Sequence, residues 1–341
     1  MPPELELPAV AEQRQAILDA FDNFFKGTVH NPNTRRAYEY SAEAFLKFAV
    51  RHCDITRLHD IRPPHISRWI DLMTASGLAA PTVKQRLAAL VTLFDFLVEQ
   101  QVISRNPARL VKGPSHVIDQ GSTPVLSGDE MLKLLDAIDP ATLIGKRDRA
   151  MIGTMAYSFA RISAVTALKV ENIFHQQRRL WLRLTDKGGK RKDIPCNHNL
   201  ELYLAEWMDA AGHRHVATAP LFQTFASKGE RKPQPGGDDE HETQDEDEGK
   251  KPKIVRPLSG KPMTQSMTWE MLQRRSKQAG LATHICNHTF RATGITAFLT
   301  NGGGIERAAI IAGHASINTT KLYDRRSRDV TLDEIEKIRF A

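Results

Sequence analysis

A run of turn-forming residues between positions 101 and 125 constrains the fold most, because no regular helix or strand continues through it. Proline lacks the backbone N–H that regular structure uses, and glycine and asparagine favour turns. The run contains Asn106, Pro107, Gly113, Pro114, Gly121 and Pro124. It predicts an N-terminal domain over 1–112, a linker over 113–126 and a second domain from Ser127, and a chain of 341 residues is long enough for both.

Residues 11–112 carry the apolar periodicity of helices. The segment 81–100 shows it most clearly, because Pro81 favours a helix start and five apolar residues then recur at helical spacing. These five are Val83, Leu87, Leu90, Phe94 and Leu97. The segments 34–52 and 63–76 repeat the pattern, so we expect an all-helical N-terminal domain.

The second domain mixes helices with a few strands. Ser127 and Glu130 have the spacing of a capping box, and Thr264 is a candidate N-cap for a helix over 263–280. The segment around Leu180, Leu182 and Leu184 instead alternates as a strand does, and Gly188-Gly189 is a hairpin turn signal. The expected fold class is mainly α with a small β-sheet (α+β).

Charge along the chain is uneven. The formal net charge is +7, but eight acids lie between Asp238 and Glu248, and without them the charge would be +15. A body this basic favours a polyanionic partner. The tract around these acids, 226–253, lacks the apolar residues that a core needs, so we expect a disordered insert within the second domain.

Membrane, secreted and metal-binding classes are disfavoured. No apolar run approaches the roughly 18 residues that span a bilayer, and the acidic N-terminus lacks a secretory signal. Three widely spaced cysteines indicate a reduced intracellular compartment. His284, Cys286 and His288 alternate, but they lack a fourth clustered ligand and the paired spacing of zinc sites, so we predict no metal site.

Five residues carry the candidate chemistry: Arg161, His288, Arg291, His314 and Tyr323. A phenol can attack a phosphodiester while guanidinium and imidazole groups hold the phosphate oxygens. Singly, each has a structural explanation as a surface pair, a packing residue or a helix cap. Their joint occurrence on a basic two-domain chain makes phosphodiester chemistry the better interpretation.

Four segments carry a family resemblance: FARISAVTALKV, DKGGKRKDIP, HTFRATGITAFLTNGG and AGHASINTTKLYDR. Together they resemble the tyrosine recombinase (phage integrase) family, especially its Xer-like branch, over residues 30–324 apart from the acidic tract. One departure concerns the acid that commonly follows the first catalytic arginine by three positions. This chain has Ala164 there, which leaves the support of Arg161 in question.

The resemblance implies a fold and a reaction. The fold would be an N-terminal helical core-binding (SAM-like) domain, a catalytic domain over 127–328 and a subunit-docking tail over 329–341. Tyr323 would attack a scissile DNA phosphate and form a 3′-phosphotyrosyl link, while Arg161 and Arg291 clamp the phosphate oxygens.

The remaining catalytic groups and the cofactor follow from the same resemblance. His288 would act as an acid–base or hydrogen-bond partner, and His314 would donate to the phosphate. Lys187 would protonate the leaving 5′ oxygen, with Lys190 as its rival. No cofactor is implied, because the protein–DNA ester conserves the energy of the bond.

The implied partner is a double-stranded DNA recombination site, bound by a homo-tetramer that assembles on synapsed DNA from free monomers. The expected setting is the bacterial cytoplasm, at the nucleoid. Candidate DNA contacts lie on the first domain and on the helix from residue 263. They are Arg35, Arg36, Lys84, Gln85, Arg86, Gln265, Thr268 and Arg274.

Two other functions share parts of this pattern. A type IB topoisomerase would use the same chemistry but relax DNA without synapsis, and the Xer-like N-terminal segment disfavours it. A catalytically inactive DNA-binding accessory protein is the second, and Ala164 is the feature that points to it.

Overall fold

The computed structural model describes residues 19–115, 121–186, 188–226, 257–325 and 335–336. The chain forms two compact units, Met1–Val117 and Ile118–Ala341. The division between them falls inside the predicted linker. Within the described ranges, no helix is long and apolar enough to cross a membrane.

The first unit is helical wherever its described residues, 19–115, form regular structure. A short π-helical turn covers Asn23–Thr28, and a single 3₁₀ turn covers Leu58–Asp60. The three main helices are α1 (Pro32–Cys53), α2 (Pro63–Ala75) and α3 (Ala80–Glu99). Each has proline in its first turn, and Asn31 caps α1 by accepting from the N–H groups of Asn33 and Thr34.

Aromatic side chains fill the core between these helices. The ring of Phe45 on α1 meets Trp69 on α2 at 5.3 Å and Phe94 on α3 at 6.2 Å between centroids, both edge to face. All five residues of the predicted α3 stripe are buried. The helical N-terminal prediction is therefore confirmed for the described residues.

Within its described residues, the second unit combines helices with two small antiparallel sheets. Its helices are α4 (Gly128–Asp136), α5 (Leu143–Ser158), α6 (Ile162–Thr166), α7 (His198–Ala211), α8 (Gln265–Gln278), α9 (Thr289–Thr300), α10 (Ile305–Ala312) and α11 (Ile317–Lys321). Strands β1 (Ile173–Gln176), β2 (Arg179–Thr185) and β3 (Arg191–Pro195) form one sheet in sequence order. Strands β4 (Gln223–Phe225) and β5 (Leu258–Pro262) form the other. This mainly α composition confirms the predicted fold class.

Short sequence patterns predicted several secondary-structure elements correctly. Ser127 and Glu130 form the capping box of α4, and Thr264 caps α8. Strands β2 and β3 form the predicted hairpin, with Thr185 opposite Arg191. The alternation of β2 is also as expected, because Leu180, Leu182 and Leu184 point into the core.

Helix α5 forms the centre of the second unit. Ala150, Met151, Ile152 and Met155 on this helix are fully buried. Helix α9 crosses it closely at Gly294, where an added Cβ would lie 2.0 Å from the carbonyl oxygen of Ala156. This close approach brings the residues of α9 next to the segment that follows α5, where Arg161 lies.

Three of the predictions lie wholly or mostly outside the described residues. They concern the acidic insert over 226–253, of which Ala226 alone is described, the tail over 329–341, of which 335–336 are described, and Lys187.

Candidate active site

Arg161 lies in a short connection between two helices. Helix α5 ends at Ser158, Phe159 adopts a left-handed conformation (φ 51°), and Arg161 is the N-cap of α6. Its guanidinium donates to Oδ1 of Asp186 at 2.9 Å. Because 30% of the side chain is still exposed, the guanidinium can also bind a ligand from solvent.

Arg291 on α9 is 1% exposed and held by backbone carbonyls. One Nη donates to the carbonyl of Phe159, and the other donates to that of Ala312 at 2.7 Å. Desolvation, and then the charge of Arg161, lower the pKa of Arg291 to about 10. It therefore remains cationic at neutral pH and fixes the turn that leads to Arg161.

His314 follows the end of α10, where Gly313 adopts a left-handed conformation (φ 62°). Its Nε2 lies 2.7 Å from Nη2 of Arg291, and Nδ1 lies 2.8 Å from Oγ1 of Thr320. A guanidinium donates and does not accept, so Nε2 accepts and Nδ1 carries the proton that it donates to Thr320. Desolvation, then the charges of Arg291 and Arg161, lower the pKa of His314 to about 4, so the ring is neutral.

Tyr323 comes just after α11 and stacks on His314. Their ring centroids are 5.6 Å apart and the planes differ by 11°. The backbone of Tyr323 is held on both sides, since its N–H donates to Thr320 and its carbonyl accepts from Oγ1 of Thr296 at 2.8 Å. Tyr323 is one of the groups that raise the pKa of Arg291, so the two side chains are close together.

His288 is the exposed N-cap of α9, one turn before Arg291. Partial desolvation, then the charges of Arg291 and Arg161, lower the pKa of His288. A neutral imidazole at this accessible position can accept a proton. The structure therefore brings Arg161, Arg291, His288, His314 and Tyr323 into one cluster.

The lysines of the β2–β3 hairpin differ in their exposure and contacts. Lys187 is not among the described residues, and Lys190 is exposed. Lys192, which the motif analysis did not select, enters the cluster instead. Its Nζ lies 3.1 Å from Oδ2 of Asp186 and donates to the carbonyl of Ile311 at 2.7 Å.

Asp186 and Thr320 were also missed. Ala164 is buried among apolar side chains, but Arg161 nevertheless has a carboxylate partner in Asp186, which comes from the hairpin. Thr320 is the buried residue that orients His314. A signal for Thr320 was present, because it is the threonine of the Thr-x-x-Tyr pattern. No local signal pointed to Asp186.

Three of the five predicted DNA contacts on the first unit line an open groove of about 440 Å³. Arg36 and Gln85 line it, Lys84 is exposed nearby on α3, and the guanidinium of Arg86 lies 5.1 Å from the ring centroid of Tyr40. Arg35 has a structural role as well, since it donates to the carbonyls of Val29 and Lys26.

The predicted contacts on α8 divide into exposed and buried residues. Gln265 and Arg274 are exposed. Thr268 is 0% exposed, and its hydroxyl donates to the carbonyl of Thr264 on its own helix. Thr268 therefore cannot contact DNA from this position, and we drop it from the predicted set. No group of three His, Cys, Asp or Glu side chains within the described ranges could hold a metal ion.

Comparisons with known proteins find matches to both units of the chain. Residues 124–329 match the model of the phage integrase family, and residues 18–101 match that of the phage integrase N-terminal SAM-like domain. Among curated proteins, the tyrosine recombinase XerD of Listeria monocytogenes serotype 4b is 23% identical over 301 residues, covering 85% of this chain and 87% of its own. XerD of Staphylococcus aureus is 21% identical over 296 residues, covering 87% and 88%.

Solved structures show the same fold. A lambda integrase dimer bound to a COC′ core site matches with a TM-score of 0.64 and 15% identity, covering 93% of this chain and 97% of that one. XerH bound to difH substrate in a pre-cleavage complex matches with a TM-score of 0.62 and 17% identity, covering 99% and 90%.

Proposed function

We propose that this chain, which belongs to the phage integrase family and is a site-specific tyrosine recombinase, cuts and rejoins DNA through the hydroxyl of Tyr323. The observation that carries this assignment is the convergence of Tyr323, His314 and Arg291 from three separate segments. The ring of Tyr323 stacks on His314, and His314 accepts from Arg291. This arrangement supports the assignment of Tyr323 as a nucleophile beside a buried cation.

The reaction is a transesterification. The phenolic oxygen of Tyr323 gives up its proton and attacks the phosphorus, a tyrosyl O–P bond forms, and the bond from phosphorus to the 5′ oxygen breaks. The 5′ oxygen takes a proton and leaves as a hydroxyl. A 5′-hydroxyl of another strand then reverses these steps and releases Tyr323. One phosphoester replaces another, so no nucleotide hydrolysis is required.

Arg161 and Arg291 stabilise the negative charge that builds on the non-bridging oxygens in the transition state. Arg291 is fixed before the substrate arrives, which is the condition under which such donors act most strongly. Arg161 is the more exposed of the two and completes the clamp. His314 supports this clamp by orienting Arg291, since its Nε2 accepts from that guanidinium and its Nδ1 donates to Thr320, so no ring N–H is left for the phosphate.

Proton transfer involves the neutral imidazole of His288 and a lysine. His288 is exposed beside Arg291 and serves as the acid–base or hydrogen-bond partner of the reacting groups. Lys187 protonates the leaving 5′ oxygen, and Lys190 remains its rival. Lys192 is not suited to this role, because its ammonium group is already bound to Asp186 and Ile311.

Double-stranded DNA is the substrate, and the active assembly is a homo-tetramer that holds two duplexes. The groove lined by Arg36, Gln85 and Arg86 supplies phosphate and base contacts from the first unit.

The tail over 329–341 docks into a neighbouring subunit. Truncation after Arg328 should preserve folding and site binding but impair synapsis, which native gels with paired sites would measure. A truncated protein that recombines like the full chain would contradict the docking role.

A nicked suicide substrate tests the chemistry. It uses duplex DNA from the region flanking the gene, with a nick near the cleavage position so that the short 5′-hydroxyl fragment diffuses away. The wild-type protein should accumulate a covalent adduct on a denaturing gel, whereas Tyr323→Phe should bind the DNA and form none. An adduct with Tyr323→Phe would refute the assignment. Strand exchange between two such sites, without simple relaxation, separates recombination from a topoisomerase activity.

A further inference from the structure

We propose that Asp186 and Lys192 form a positioning pair that holds Arg161 and the turn carrying His314 in their reactive arrangement. This inference rests on the proposed function, since it assumes that Arg161 acts on the phosphate and that His314 orients Arg291, which does so too. Neither Asp186 nor Lys192 needs to touch DNA in this role. They act through the groups that do.

The carboxylate of Asp186 is shared by two cations. Oδ1 accepts from Arg161 at 2.9 Å, and Oδ2 lies 3.1 Å from Nζ of Lys192. The side chain of Asp186 is 7% exposed, so it has little contact with water. A charge buried in this way is stable only when it is paired, and each of the three groups therefore fixes the other two.

Lys192 extends the network to α10. Its Nζ donates to the carbonyl of Ile311 at 2.7 Å, in the last turn of that helix. Carbonyls at a helix C-terminus lack intrahelical partners and attract cations. The next carbonyl, that of Ala312, accepts from Arg291. Two cations from different elements thus bind the last two carbonyls of α10, immediately before Gly313 and His314.

Gly313 shows how closely the turn approaches the carboxylate. A Cβ added to Gly313 would lie 2.2 Å from Oδ2 of Asp186 and 3.5 Å from Nζ of Lys192. The residue also has a φ of 62°, which side chains rarely adopt. The peptide that leads into His314 therefore packs directly against the Asp186–Lys192 pair.

The pair also balances charge in the cluster. Arg161, Arg291 and Lys192 are three cations whose mutual repulsion opposes their assembly before a phosphate is bound. The negative charge of Asp186 acts to raise the pKa of Lys192, Arg291 and His314, whereas the neighbouring cations act to lower it. Asp186 directly precedes Lys187 in the sequence. The ion pairs of Asp186 therefore also fix the position at which the chain enters the hairpin loop.

The test compares two carboxylates of the same hairpin. Asp186→Asn removes the buried charge without changing side-chain size. Asp193→Asn makes the same chemical change in the Arg183–Asp193 pair, which is more exposed and has its closest contact at 2.8 Å. Single-turnover adduct formation on the nicked substrate is measured at saturating DNA, below the melting temperature of each variant.

We expect Asp186→Asn to lower the cleavage rate on the order of 100-fold, because small displacements of positioned groups have effects of this size. DNA affinity should stay near that of the wild type. Asp193→Asn should cleave within about threefold of the wild-type rate, since exposed ion pairs contribute little. A wild-type rate for Asp186→Asn at saturating DNA would overturn the proposal, while the Tyr323→Phe result would stand unaffected.

A second pair of variants covers the case in which Asp186→Asn does not fold. Lys192→Arg keeps a cation that can contact both Asp186 and the carbonyl of Ile311, whereas Lys192→Met keeps the aliphatic volume alone. We expect Lys192→Arg to retain most of the cleavage rate and Lys192→Met to lose it with DNA affinity preserved. Equal cleavage by folded Lys192→Met and wild-type protein would refute the positioning role.

Discussion

Arg291 and His314 share a hydrogen bond of 2.7 Å from Nη2 to Nε2, although 23 positions separate them in the sequence. This bond selects the tautomer of His314, because the proton must then reside on Nδ1, which donates to Thr320. The same guanidinium binds the carbonyls of Phe159 and Ala312. One buried cation therefore determines the orientation of the imidazole and the course of two turns.

Thr320→Val should reduce both stability and cleavage. The change keeps the shape of a fully buried side chain but removes the oxygen that accepts from Nδ1 of His314. An unpaired polar group costs about 1–3 kcal/mol in free energy of unfolding, which urea denaturation would measure. Thr319→Val, at an exposed neighbouring position, is the control and should unfold like the wild type. A stable, fully active Thr320→Val protein would contradict the role of this bond.

Arg291→Ala and Arg161→Ala should both abolish cleavage but differ in stability. Arg291 is 1% exposed, and its removal leaves the carbonyls of Phe159 and Ala312 without their partner. We expect a loss of several kcal/mol for Arg291→Ala, since breaking buried networks costs about 3–5 kcal/mol. Arg161 is partly exposed, so Arg161→Ala should unfold closer to the wild type. Adduct assays and urea denaturation of both variants test this contrast.

Stability should fall as the pH falls from about 6.5 to about 4, partly because of His314. The pKa of His314 is lowered from its ordinary value of 6.5 to about 4, so the unfolded chain binds more protons in this window. The contribution of neutral His314 to stability is complete above pH 6.5, and it is lost as the pH drops through about 4. His314→Gln should flatten this part of the profile, leaving the contributions of His288 and His213, whose pKa values are lowered as well. An unchanged slope would contradict the assignment.

Cleavage should be unaffected by EDTA. The groups proposed to hold the phosphate are the guanidinium groups of Arg161 and Arg291, which stabilise negative charge directly. Adduct yield on the nicked substrate would be compared with and without chelator. A strict requirement for added magnesium or zinc would rule out this mechanism.

Removal of the acidic insert should leave the fold intact. Strands β4 and β5 on either side of it pair with each other, and the N–H of Ala226 donates to the carbonyl of Pro257 at 2.9 Å. A short turn in place of residues 227–256 can therefore join the two strands, and shortening a loop has a small entropic effect. Thermal unfolding should occur near the wild-type temperature.

The same deletion decides whether the acids regulate DNA binding. If they compete with DNA for the basic surface, affinity should rise on deletion, and it should rise most at low salt, where electrostatic competition is strongest. Equal affinities of the two proteins at low salt would eliminate autoinhibition and leave the insert as a solvated loop.

The sequence by itself determined the elements that depend on local physics. The capping box of Ser127 and Glu130, the apolar stripe of α3 and the alternation of β2 follow from contacts within a few residues, so their spacing was sufficient to predict them. The set of candidate catalytic residues also came from spacing and chemical type. Five members of this set lie in one cluster: Arg161, His288, Arg291, His314 and Tyr323.

The supporting contacts of that cluster were decided by tertiary structure alone. Asp186 reaches Arg161 across 25 positions, and Lys192 reaches Ile311 across 119, so no local pattern could reveal either contact. Thr268 was predicted to contact DNA as one of the polar side chains of its helix, yet packing buries it completely. Periodicity reports which face of an element is apolar. Which distant group meets that face depends on how the elements pack, and here that packing placed a carboxylate beside Arg161 and a lysine at the end of α10.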